Sequence, residues 1–433
     1  MSARVTSILL RALALATLLT GVLERSVPVD LQLFVAVSAQ EPGSSAPIEV
    51  GLVPLREDPT SRAAEGGATV GNLTYHGGAV QHTQKVFTIF WNPTATPFPA
   101  GYQTTINQFV QDLNGSPYYA IASQHGDSTG NISTALSYGG TWLDTTNAIP
   151  NDPPNIFDLL DEVNRAKAAN GWTSDANSYF QVYTPSGYGT TTNYCGFHAA
   201  FGGAFGLILF PAVHGSGGTC FPSGPFPNNQ IVDAAINVSA HEIMETVTDP
   251  FLFGWYYVDW SGEIGDLCNF DFGVRAGDGS NVTLNGHKYL VQQQWSNAVS
   301  GCALSYIPPS VNITANGSDG PLTLQPADSL QIAFAADGGT PGFASPSDLY
   351  IGVSTPFGVF WLSTVGFTPT MTVLFHGPLP SVGPTPLFTI PNVSTVPSGS
   401  YVWFIVVTGA KGTVFDLVQT TIAPSRASSS SRP

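Results

Sequence analysis

Residues 230–250 read QIVDAAINVSAHEIMETVTDP, and their interpretation decides how the rest of the chain is organised. Pro225, Pro227, Asn228 and Asn229 mark a loop before them, and Pro250 and Gly254 a stop after them, which predicts a long helix over Gln230 to Thr248. At helical pitch His241 and Glu245, four residues apart, stack on one face with Glu242 beside them. The pattern H-E-x-x-H on a helix supplies two histidine ligands to Zn²⁺ and a glutamate that activates water; here Glu245 stands in place of the second histidine. Eighteen residues beyond Glu245, the segment Gly262-Glu263-Ile264-Gly265-Asp266 offers Glu263 as a third ligand and Asp266 as a further carboxylate of the metal set.

Working outward, Lys85 to Trp91 (KVFTIFW) is a buried-strand pattern closed by Asn92-Pro93. A helix follows from Tyr102, with Ile106, Phe109, Val110 and Leu113 on one face and Asn114-Gly115 stopping it. A second helix has Asp152 as its expected N-cap, Pro153 at its first helical position, an apolar stripe of Ile156, Leu159, Leu160 and Val163, and Asn170-Gly171 at its end. Strands are expected at Tyr179 to Thr184 and Gly206 to Pro211, and a hairpin around Asn285-Gly286 within Asn281 to Gln294. Strands alternating with helices predict a mixed sheet with helices packed on it.

From Ile307 the helical patterns vanish. Short alternating runs at Leu330 to Phe334, Leu349 to Val353, Val359 to Leu362 and Tyr401 to Val407, separated by Pro/Gly/Ser turns, read as a β-sandwich. The expected organisation is a signal peptide over 1–39, a flexible lead-in over 40–78, an α+β domain over 79–306, an all-β sandwich over 307–424 and a disordered tail over 425–433. The leader begins with Arg4 and Arg11, continues as the apolar run Ala12 to Leu23, and reaches a cleavage site near Ala39. After that cleavage no segment is long and apolar enough to span a bilayer.

Only 10% of the residues are charged, against roughly 25% in an ordinary soluble protein, which suits a secreted chain. The formal charge is −16, and without Lys/Arg clusters such a chain repels phosphate backbones, which excludes nucleic acid as a partner. Oligomeric state is not legible. Four cysteines in an exported chain argue for two disulfides; their spacing suggests Cys195 with Cys220 and Cys268 with Cys302, among three pairings that sequence permits.

The helix with Thr248-Asp249-Pro250, the Gly254-Trp255-Tyr256 turn and Glu263-Ile264-Gly265-Asp266-Leu267-Cys268 together resemble the EXORDIUM-like, or phosphate-induced, family. Cys195-Gly196-Phe197-His198 and the segment from Asn285-Gly286 through Trp295 to Cys302 extend the resemblance over roughly Lys85 to Leu304. It implies an extracellular, often wall-associated role without a defined activity. The run from His241 to Asp249, with its downstream Glu-x-x-Asp, also resembles the active-site helices of thermolysin-type gluzincins. That resemblance implies a zincin-like fold with His241, Glu245 and Glu263 as ligands, Glu242 as base and Asp266 orienting His241. The sequence departs from the pattern at Glu245, and its Glu263 to Asp266 spacing is one residue shorter.

Zn²⁺ on one histidine and two carboxylates carries no net charge, so it acidifies water less than a two-histidine site does. Zn²⁺ is the expected ion, and the harder ligand set also tolerates Mn²⁺ or Ca²⁺. His198 is read in a loop after Cys195, as a second catalytic candidate that polarises a substrate carbonyl or approaches the metal; the alternative is a structural histidine beside a disulfide. His214 and His287 have weaker claims. Asp249 is read as a helix C-terminal residue, and Trp255, Tyr256, Tyr257 and Trp260 as core or as a substrate cleft. Two functions remain: a secreted zincin-type hydrolase of extracellular peptide or cell-wall substrates, or a non-enzymatic wall or matrix protein with an adhesive sandwich.

Overall fold

Alternation within Lys85–Trp91 sends Phe87, Ile89 and Trp91 to one face of a sheet and Val86 and Phe90 to the other, and both sets are buried. Two-sided burial is why the segment reads as a continuous apolar run rather than an alternating one. In the computed structural model, which describes residues 51–54, 71–214, 218–258, 262–340, 346–409 and 412–424, this strand lies inside a six-stranded sheet. Its members are Gly51–Pro54 (β1), Lys85–Trp91 (β2), Ser137–Asp144 (β3), Ser178–Tyr183 (β4), Tyr194–Ala200 (β5) and Ala204–Ile208 (β6). The spatial order is β1-β5-β6-β4-β2-β3. β2, β3, β4 and β6 run parallel; β5 is antiparallel to β6, and β1 to β5.

Three α-helices occur among the described residues: Tyr102–Asp112 (α1), Ile156–Asn170 (α2) and Gln230–Thr248 (α3). Leu159, Val163 and Ala166 of α2 pack on Phe87, Ile89, Phe180, Val182 and Phe197. The opposite face shares a core with Ile106, Phe109 and Val110 of α1 and with the apolar residues of α3. The α3 N-cap is Asn229, whose side chain accepts from the Ile231 and Val232 amides. Every residue from Val232 to Thr248 is buried, so the polar ones need partners. Asn237 accepts the Gln292 amide at 2.7 Å, and Ser239 donates to Gln181 Oε1 at 2.7 Å.

Three expectations are corrected. Helix α2 starts at Ile156, not at Pro153: the Asp152-Pro153 bond is cis, and Asp152 accepts the Gly189 amide instead. Asn155 is the cap and forms a reciprocal capping box with Asp158. Asn155→Ala is therefore expected to cost about 1 kcal/mol, read as a shifted chemical-denaturation midpoint with an unchanged slope. Second, the expected flexible lead-in contains β1 and the pair Thr74–Tyr75, which bonds to Trp255–Tyr256. Third, His198 lies on strand β5 rather than in a loop.

The hairpin of Val282–Leu284 and His287–Tyr289 turns at Asn285 (φ 49°) and Gly286 (φ 89°), the positive pair that a two-residue primed turn requires. Beyond it, Ser310–Ala315, Leu330–Asp337 and Val382–Ile390 form a three-stranded sheet. A larger sheet is centred on Ser347–Thr355, Gly399–Gly409 and Gly412–Ile422. Ile313, Leu330 and Ile332 of the first share a core with Ile351, Val353, Trp403, Ile405 and Val407 of the second. The chain is thus β-rich, with several sheets and few helices. Cys195 bonds to Cys220 and Cys268 to Cys302, with Cα separations of 5.5 and 5.7 Å. Among the described residues no helix is long and apolar enough to cross a membrane. The expected signal peptide and the tail 425–433 lie outside the described residues.

Candidate metal centre

Helix α3 brings His241, Glu242 and Glu245 to one place, and none of the three has any solvent exposure. Strand β5 adds His198, equally buried, because Phe197 and Ala199 face α2 and the pleat turns His198 toward α3. The turn 262–268 supplies Glu263 and Asp266. It is fastened by the Trp295 amide on Ile264 O (2.8 Å), Gln292 Nε2 on Gly265 O (2.8 Å) and the Cys268–Cys302 disulfide. Gly265 lies against the His241 ring, and a β-carbon there would stand 2.9 Å from His241 and Glu245 Oε1, so the turn approaches this closely only with glycine at that position.

Two donor groups result, and they share Glu245. In one, His241 Nε2 is 2.7 Å from Glu245 Oε1 and 3.5 Å from Asp266 Oδ1. In the other, His198 Nδ1 is 3.1 Å from Glu242 Oε2 and 3.4 Å from Glu245 Oε2. Ligand atoms on one ion at roughly 2.0 to 2.2 Å stand about 3.0 to 3.5 Å from each other, so this spacing suits coordination. Although His241 Nε2 and Glu245 Oε1 are close, they are not aligned as a hydrogen bond. Both His241 nitrogens, His198 Nε2, Glu242 Oε1 and Glu245 Oε2 are buried without a hydrogen-bond partner.

The expected trio of His241, Glu245 and Glu263 is arranged differently. Asp266 takes the place beside His241, its amide donating to Glu245 Oε1 at 3.1 Å, while Glu263 Oε1 is 3.8 Å from His198 Nε2. Asp249 caps α3, accepting the Gly254 amide at 2.7 Å, but its Oδ2 is buried without a partner near the cluster. His214 sits beside the disulfide, 3.2 Å from Cys220 Sγ and 3.1 Å from Thr192 O, as a structural histidine would. His287 is paired with Asp112 at 2.8 Å. Trp255 donates to Gly126 O and Tyr256 stacks on His76, which makes both packing residues; Trp260 lies outside the described residues. The Cys195–Cys220 bond leaves neither cysteine beside His198 as a free thiol.

Five carboxylates around two imidazoles leave a negative excess, and the proton affinities register it. Burial pushes Glu242 up to about 7 and Asp249 up to about 6. It raises Glu263 and Asp266 as well, reinforced by the Glu245 charge. Glu245 is the exception: burial raises it, but His241 and then His198 hold it down to about 2. Both histidines are lifted well above their usual value, burial being outweighed by the surrounding carboxylates. In all of their ion pairs among the described residues, Glu242, Glu245, Glu263 and Asp266 face one of these two histidines, never Lys or Arg.

No protein-family profile matches the chain. It is similar to Protein EXORDIUM-like 5 of Arabidopsis thaliana, 24% identical over 316 residues that cover 60% of this chain and 86% of that one. Protein EXORDIUM-like 3 of the same plant is 35% identical over 97 residues, 18% of this chain and 28% of that one. Among solved structures, OgpA from Akkermansia muciniphila aligns over 80% of this chain and 94% of its own at 9% identity, with a TM-score of 0.23 that establishes no common fold. The similarity to curated relatives therefore points to the EXORDIUM-like proteins, and together with the two disulfides it is consistent with an extracellular chain.

Proposed function

We propose that the protein is a secreted, divalent-metal-dependent hydrolase acting on peptide bonds, with a zincin-like first lobe built from the mixed sheet and α3. One observation carries this reading: fully buried imidazole and carboxylate atoms of His198, His241, Glu242 and Glu245 converge without hydrogen-bond partners. Leaving such groups unsatisfied costs several kcal/mol on the usual scale, and a divalent cation is a partner that imidazole nitrogens and carboxylate oxygens can share. His241, Glu245 and Asp266 hold the ion, for which Zn²⁺ is the first candidate and Mn²⁺ or Ca²⁺ the alternatives. A bound divalent ion there supplies Lewis-acid polarisation of a carbonyl and lowers the pKa of water.

Of the remaining carboxylates, Glu242 is hydrogen-bonded to His198 through Oε2 and has no solvent exposure, whereas Glu263 makes no hydrogen bond through Oε1 and lies with Asp266 on the side of the cluster that retains some solvent contact. We therefore move the proton-accepting role expected of Glu242 to Glu263. Its Oε1 takes a proton from water and returns it to the leaving amine, with the His198 ring 3.8 Å away.

The test is elemental analysis of the purified protein, with peptide-library hydrolysis before and after dialysis against a chelator. Bound Zn²⁺, loss of cleavage on chelation, recovery on re-addition and absence of both in His241→Ala are expected. Stoichiometric metal with no cleavage of any peptide transfers the chain to the non-enzymatic reading, that of an extracellular wall or matrix protein. The depth of the cluster, with five members at 0% exposure, is what favours that second reading.

A further inference from the structure

We infer that the centre holds two divalent cations rather than one, bridged by the carboxylate of Glu245. The inference rests on the metal-binding part of the proposed function and deepens it.

The two oxygens of Glu245 point to different donors. Oε1 is 2.7 Å from His241 Nε2, on the side of Asp266, whereas Oε2 is 3.4 Å from His198 Nδ1, on the side of Glu242. A carboxylate serving a single ion would bring both oxygens, or one of them, to one donor set. This one divides its oxygens between two sets, each with one histidine and one further carboxylate. That is the layout of two-metal hydrolytic sites, whose ions stand roughly 3.5 to 4 Å apart.

Charge points the same way. Glu242, Glu245, Asp249, Glu263 and Asp266 carry five negative charges when ionised, and one divalent cation leaves three of them uncompensated, with Glu242, Glu245 and Asp249 wholly without solvent exposure. Two cations leave one. The unpartnered atoms are also split: His241 Nε2 belongs to the first set and Glu245 Oε2 to the second, so one ion beside His241 leaves the His198 side unsatisfied. Glu242 is then a ligand of the second ion, which is compatible with Glu263, and not Glu242, accepting the proton.

The experiment uses the full-length secreted protein, stripped of metal and titrated with Mn²⁺ alone, with bound ion counted by equilibrium dialysis and its environment read by electron paramagnetic resonance. The expected result is two Mn²⁺ per chain, with the sharp six-line spectrum of isolated Mn²⁺ broadened away as the second ion binds. Glu242→Gln and Asp266→Asn should each retain one ion, and its six-line spectrum should return. One Mn²⁺ per chain in the unsubstituted protein overturns the second position and leaves the proposed hydrolase standing. Two ions with isolated spectra overturn the bridge, and no bound ion removes the hydrolase reading as well. Because the unsubstituted protein decides each of these outcomes, a variant that fails to fold does not shield the inference.

Discussion

Replacing Glu263 with glutamine is expected to lower kcat/KM on a cleaved peptide by two to four powers of ten, on the order of what removing a general base costs, while the metal content stays as it was. Glutamine keeps the shape and one acceptor oxygen but cannot take a proton. Glu263 Oε1 has no hydrogen-bond partner, so the substitution breaks no bond that holds the turn 262–268. That turn keeps the Glu263 amide on Asp266 Oδ2, the Asp266 amide on Glu245 Oε1 and its disulfide. Glu242→Gln is the informative contrast, since Glu242 is bonded to His198 at 3.1 Å and should lose an ion rather than a proton acceptor. Should Glu242→Gln instead keep its full metal content and lose hydrolysis while Glu263→Gln stays active, the base is Glu242 and the assignment argued above is wrong.

The second large effect is on stability and involves His125. The residue has no solvent exposure, neither ring nitrogen has a hydrogen-bond partner, and the ring lies 4.7 Å from Trp255. Burial alone pushes its pKa from 6.5 down to about 3. The folded chain therefore keeps His125 neutral where the unfolded chain protonates it, so between these values unfolding takes up a proton. Stability associated with this residue is complete above pH 6.5 and is lost progressively as pH falls toward 3, by about 4 to 5 kcal/mol at the extreme. His125→Phe retains an aromatic ring against Trp255 and cannot be protonated. Chemical denaturation at pH 7.5 and at pH 4.5 should show the substituted protein losing less stability than the unsubstituted one across that interval. Equal losses would mean that His125 is already hydrated or paired in the folded state.

Much of this architecture was legible where local pattern and tertiary packing agree. Lys85–Trp91 and Gln230–Thr248 appear with the expected bounds, and Asn285-Gly286 makes its turn, because a dense apolar run, a capped helix and a residue pair tolerant of positive φ need no distant partner. Ser137–Asp144 and Tyr194–Ala200 were not read as strands. They contain Gly139-Gly140 and Cys195-Gly196, and their strand character comes from the neighbours they pair with. The centre divides along the same line. His241, Glu242 and Glu245 follow from helical spacing, whereas His198 is distant in sequence from α3 and reaches it only through the sheet. Nor does the turn 262–268 have a period that tells which of Glu263 and Asp266 meets His241; the close approach of Gly265 decides that.

Strand β1 lies at the margin of the main sheet, with Gly51 opposite His198 and Val53 opposite Gly196. An open strand edge beside a cleavage centre is a natural seat for an extended peptide, because backbone amides and carbonyls there await partners. In this molecule that seat is filled by the chain's own Gly51–Pro54, and Val53 is sealed into the core. On the proposed peptidase reading, a peptide substrate is received from the side of Glu263 and Asp266, or else displaces β1. A shortened chain that begins beyond Pro54 is a different surface altogether, with the backbone of the histidine-bearing strand laid bare to any strand that can pair with it.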